Sequence, residues 1–226
     1  MKTRSIPVPA RVAGLAAIAM SAVLALGTAA AGESASISKV NGGIDVQAHG
    51  SAGALKNVNG SIRVGEGAQV EVVKSVNGSV TLENGARVSG DVKSVNGGVN
   101  VGADAQVGGD LGTVNGHIAT QPGTRISGAV KSVNGTMELT GTQAGSIETT
   151  NSDIELSDGT VVLGDLIVHK PDSGWFHFGT QSEPPHIVIG ENCEVRGELN
   201  FEREVRLEVA DSARIGEITG VQPIRD

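Results

Sequence analysis

The chain is short of almost everything that builds a conventional globular core or a reactive centre. Its 226 residues include one cysteine, one tryptophan, three phenylalanines and no tyrosine. A lone cysteine, Cys193, excludes an intrachain disulfide framework. The dearth of rings excludes an aromatic core, so stability has to come from aliphatic packing and backbone pairing. Basic residues number 17 against 25 acidic ones, a formal net charge of −8 that repels nucleic acid and anionic lipid. No Gly-x-Ser-x-Gly elbow, His-Glu-x-x-His helix or Walker loop is present, and Gly65-Glu66-Gly67 lacks the third glycine of a dinucleotide fingerprint. Nothing in the sequence calls for a cofactor.

What is present is concentrated in two ways. The first is at the start, where Lys2, Arg4 and Arg11 precede an uncharged run from Val12 to Ala31 that ends in Ala29-Ala30-Ala31. This is the pattern of a secretory signal peptide over residues 1–31, although the run is also long enough to approach a membrane span. Cleavage leaves 17 − 3 = 14 basic residues against 25 acidic ones, a net charge of −11 for residues 32–226. The expectation is an exported chain of the periplasm, the cell surface or the medium, with no membrane span once the signal is removed.

The second concentration is glycine, 33 residues, about twice the usual share of roughly 7%. Many of the glycines fall in register. Val-Asn-Gly units centre on Asn41, Asn59, Asn77, Asn96, Asn115 and Asn134, spaced by 18, 18, 19, 19 and 19 residues, and a degenerate Thr150-Asn151-Ser152 follows after 17. A second landmark recurs as Gly90-Asp91, Gly109-Asp110, Gly128-Ala129, Gly164-Asp165, Gly197-Glu198 and Gly216-Glu217. A fixed period of this length signals stacked repeats.

Within residues 78–96, Val80 and Leu82 alternate with Ser79, Thr81 and Glu83, and Ala86 and Val88 flank Arg87, which is strand periodicity with one buried face. Asn84-Gly85 is a turn dipeptide. Val92 and Val95 cannot share a face of one unbroken strand, so a bend near Ser94 is expected, with Val95 filling the core. Three short strands per repeat, at about 3.3 Å per residue, give a coil perimeter of roughly 60 Å. The predicted fold is all-β, a single-stranded parallel β-solenoid of about nine rungs of 18–19 residues with a triangular cross-section. Each coil buries its apolar face only against its neighbours. In such a stack the Val-Asn-Gly asparagines form a corner ladder, each amide donating to the next rung.

Two places are candidates for chemistry or contact. Asp91 and Asp110 stack on adjacent rungs, with Asp165, Glu198 and Glu217 at the same repeat position, and paired acids on one β-helix face can divide acid and base roles. Ala129 interrupts this column, and a solvated charged face is the simpler reading. The insertion at 169–186 breaks the composition: it holds His169, His177, His186, Trp175, Phe176 and Phe178. Trp175, Phe176, Phe178 and His177 are the candidate ligand or partner contacts; the rings also suit a plug over the solenoid, and the histidine spacings match no compact zinc pattern. No metal site is expected. Cys193 aligns with Ala86 and Ala213 as a small buried position.

The units Val58 to Ile62 ("VNGSI") and Val76 to Val80 ("VNGSV"), together with the export signal, resemble an exported bacterial family of adhesin-like β-strand repeat proteins of unknown function. The segments "GARVSGDV" (85–92) and "CEVRGEL" (193–199) are similar to the rungs of bactofilins, and that likeness implies a right-handed β-helix and a polymer. The signal peptide departs from bactofilins, whose filaments are cytoplasmic. The expected function is an exported structural or adhesive solenoid of the bacterial cell envelope, without catalysis, partnering itself end to end or an envelope polysaccharide or protein. The alternative is a carbohydrate-binding or polysaccharide-degrading β-helix working on the Asp91/Asp110 face.

Overall fold

A computed structural model of the chain describes residues 34–171 and 183–225. The expected signal peptide, and with it Trp175, Phe176, His177 and Phe178, lie outside the described residues. Among the described residues there is no helix; all strand pairings are parallel, and the strands stack as a β-solenoid of about nine turns.

One turn shows the plan. Arg87–Val88, Val92–Asn96 and Val99–Val101 are three short strands joined by corners. Their partners one repeat later are Gln106–Val107 and the two ends of Leu111–Thr120. Further on, the strand pairing runs through the corners, giving Arg125–Thr140 and Gln143–Ser157. Strands form because β-branched residues alternate with polar ones and frequent glycines penalise a helix.

The core is a set of columns running along the stack. Ile44, Ile62, Val80, Val99, Ile118, Met137, Ile154, Ile187 and Leu207 align by register, and each is at most 2% exposed. Val88 faces inward and Cys193 is fully buried, which raises the thiol pKa by desolvation. Each aliphatic side chain so placed contributes about 1.5–3 kcal/mol by leaving water.

The corner differs from the sequence expectation. Ser94 is 3% exposed and Val95 is 39% exposed: the strand alternates from Val92 through Val95, Asn96 after it is exposed as well, and no bend buries Val95. Asn57, Ser75, Thr113, Ser132 and Thr149 share the inward column with Ser94. The physical reason lies in the glycine carbonyls of the corner. Thr113 Oγ1 donates to Gly97 O at 2.9 Å, Ser94 Oγ to Gly78 O at 3.3 Å, and Asn57 Nδ2 to Gly42 O at 2.9 Å and Gly60 O at 2.8 Å. A valine at this position would bury those acceptors with no such donor.

The insertion replaces one corner. Leu166–Val168 ends its turn, and the chain re-enters the stack as His186–Ile189, where Ile187 pairs with Ile154.

Candidate functional site

The Val-Asn-Gly corner is an uninterrupted ladder. Asn59 donates to Asn41 at 3.2 Å, Asn77 to Asn59, Asn96 to Asn77, Asn115 to Asn96 and Asn134 to Asn115 each at 3.0 Å, and Asn151 to Asn134 at 3.1 Å. The glycine that follows is required at the closest approaches. Gly60 has φ +132°, and a Cβ there would stand 2.6 Å from Gly42 O. Beyond Asn151 the next corner is the insertion, and Arg203 closes the ladder, its Nη1 donating to Asn151 Oδ1 and to Thr150 O. Sequence reasoning missed Arg203; no motif marks it.

Beside the ladder runs a column of exposed valines, Val58, Val76, Val95, Val114 and Val133, each 38–40% exposed. On the other side the residue after the glycine varies, and part of that variation is paired. His117 Nε2 lies 2.9 Å from Asn100 Oδ1, and its ring occupies the space that a side chain at Gly98 would need.

The acidic column is a backbone brace. Asp91 Oδ1 accepts the Asp110 N–H at 3.0 Å, Asp110 Oδ1 accepts the Ala129 N–H at 3.0 Å, and Asp165 Oδ1 accepts the Glu198 N–H at 2.9 Å. The outer oxygens meet lysines: Asp91 Oδ2 is 2.7 Å from Lys93 Nζ, and Asp110 Oδ2 is 3.8 Å from Lys131 Nζ. The Lys93 ammonium and the Asp110 N–H hold the Asp91 carboxyl below its usual range. A general acid needs the opposite shift. Glu198 and Glu217 follow in the same column by register.

Comparison with protein-family models, with curated proteins and with solved structures gives no match. The likeness to adhesin-type repeats and bactofilin rungs rests on the short repeat units quoted above.

The flanks of the insertion are tied to acids. His169 Nδ1 lies 3.3 Å from Glu202 Oε1, and Nε2 lies 3.8 Å from Glu148 Oε2. Glu202 also accepts the Lys170 N–H at 3.0 Å, and that bond and His169 lower its pKa. His186 Nε2 lies 2.7 Å from Glu208 Oε1, and the backbone N–H of His186 donates to Asp153 Oδ1 at 2.8 Å. His169 and His186 thus engage different carboxylates. Among the described residues no helix is long and apolar enough to cross a membrane.

Proposed function

We propose that this chain is an exported, non-catalytic β-solenoid of the bacterial cell envelope, a structural and adhesive module that works by presenting its faces to a partner. The observation that carries the reading is the state of the acidic column. One oxygen of Asp91, Asp110 and Asp165 is bound to the backbone of the next turn, so the carboxylates best placed for glycosidic chemistry are part of the scaffold. Incubation with envelope and plant polysaccharides tests it: no new reducing ends and no unsaturated products are expected, and either product would establish an enzyme.

End-to-end association is a second reading, favoured by the two terminal turns. Ile37–Asn41 pairs on one side only, with Ser51–Asn59, and Ile218–Gly220 and Ile224–Arg225 likewise pair on one side only among the described residues. Strand edges without a partner among the described residues can template further pairing. Two charges temper the ends, because Lys39 and Arg225 fall in columns that point inward elsewhere. Joining is therefore expected to strengthen with salt. Sedimentation across protein concentration and ionic strength, with electron microscopy, measures it, and particles that stay monomeric throughout would dismiss filaments.

A further inference from the structure

A cleft of about 480 Å³ runs along the stack beside the strand Arg87–Val88 and its equivalents, spanning the turns from Ser51 to Arg125. Its rim is one outward column aligned by register: Ser51, Gln69, Arg87, Gln106 and Arg125. The facing positions Ser89, Gly108 and Ser127 are small, which keeps the cleft open. Arg63, Arg196 and Arg206 are tied to carboxylates, whereas Arg87 and Arg125 make no ion pair among the described residues. Glu71 is the one carboxylate lining the cleft, and it pairs with neither. In a chain of net charge −8 this is a local surplus of positive charge, displayed at a fixed interval.

We infer that the cleft binds a linear acidic polysaccharide carrying one carboxylate per disaccharide. The interval decides the class. Arg87 and Arg125 are two turns apart, roughly 9.6 Å at the usual strand spacing, which is about the length of one disaccharide in an extended glycan. Each guanidinium suits a carboxylate bidentately. Gln69 and Gln106 alternate with the arginines, and their amides both donate and accept, as the hydroxyls of an intervening sugar require.

Other polyanions fit less well. Acidic side chains on one face of an extended peptide recur at about 6.8 Å, out of step with the arginines. Nucleic acid strands place charges still closer, out of step with the two arginines. Neutral sugars are usually held by stacking on aromatic rings, and no ring lines this cleft.

The inference supplies a ligand for the adhesive reading and rests on it, but the two fail separately. Hyaluronan octasaccharide, with alternating uronic acids, is the probe, titrated into the intact chain by calorimetry at low ionic strength. Saturable binding that weakens with added salt is expected, together with no binding of the carboxyl-reduced octasaccharide. The double substitution Arg87→Gln, Arg125→Gln should lower affinity by about tenfold or more, while Lys74→Gln, outside the cleft, leaves it unchanged. Circular dichroism melts confirm that the variants stay folded, since both arginines are exposed. Absence of hyaluronan binding, binding indifferent to the double substitution, or equal binding of polyglutamate would each overturn the inference. Cleavage of a glycan would instead overturn the non-catalytic reading and leave the cleft assignment standing.

Discussion

From Asn41 to Asn151 each corner is tied to the next by an asparagine amide, and from the Asn59 corner on each is lined inside by a hydroxyl or amide; after Val168 that corner disappears and other contacts take over. There Arg203 caps the ladder, and His186 sits against Glu208 on the following turn. The inward columns cross this boundary without a break, since Ile187 pairs with Ile154 and Leu199 with Leu166. The contrast separates two jobs. Inward periodicity specifies the coil, whereas a corner is a local solution to its own hydrogen bonds and can be exchanged for an insertion.

Substitutions at matched depth in the two regions test that division. Val88→Asp places an unpaired charge at a site 1% exposed, and a loss of about 4 kcal/mol or more is expected. Phe201→Ala, at a fully buried site past the insertion, should cost about 3–5 kcal/mol. Thermal melts of both should shift as one transition. A second, separate transition in the Phe201 variant alone would mean that the region past the insertion folds as its own unit.

The corner itself is probed by exchanging its two sides. Ser94→Val removes a donor to Gly78 O from the interior and should cost about 1–3 kcal/mol. Val95→Ser, on the exposed side, should stay within about 0.5 kcal/mol. Urea unfolding measures both, and the reverse order of effects would restore Val95 to the core. On the ladder, Asn96→Ala breaks two links at once, those to Asn77 and Asn115. Because the ladder is exposed, only about 0.5–1 kcal/mol is expected.

Most of the coil was legible because its period is a geometric constraint. Spacings of 18 and 19 residues put like positions above one another, and alternation around Val80 and Val88 named the inward side correctly. The error at Ser94 and Val95 came from ranking residues by hydropathy where alternation already gave the answer. Counting in twos from Val92 puts Ser94 inside, and the glycine carbonyls explain why a hydroxyl belongs there. The acidic column was located but its role was not: that Asp91 reaches the N–H of Asp110 depends on the path of the next turn. Arg203 and the cleft at Arg87 and Arg125 depend on neighbours more than a repeat apart and leave no local motif.

The smallest expected effect concerns that acidic brace, and pH isolates it. The folded-state pKa of Asp91 is depressed, chiefly by Lys93 and then by the Asp110 N–H. A group of this kind adds stability that is fully present above its ordinary value of 3.8 and is lost as pH falls through the lower folded value. Asp91→Asn keeps an oxygen for the Asp110 N–H but removes the charge that faces Lys93. As the site is well exposed to solvent, screening limits the neutral-pH loss to a few tenths of a kcal/mol. The informative readout is the acid limb: the melting temperature of the variant should fall less steeply below about pH 4 than that of the parent. Parallel acid limbs would show that the carboxylate contributes through its hydrogen bond alone and that its charge is immaterial to the stack.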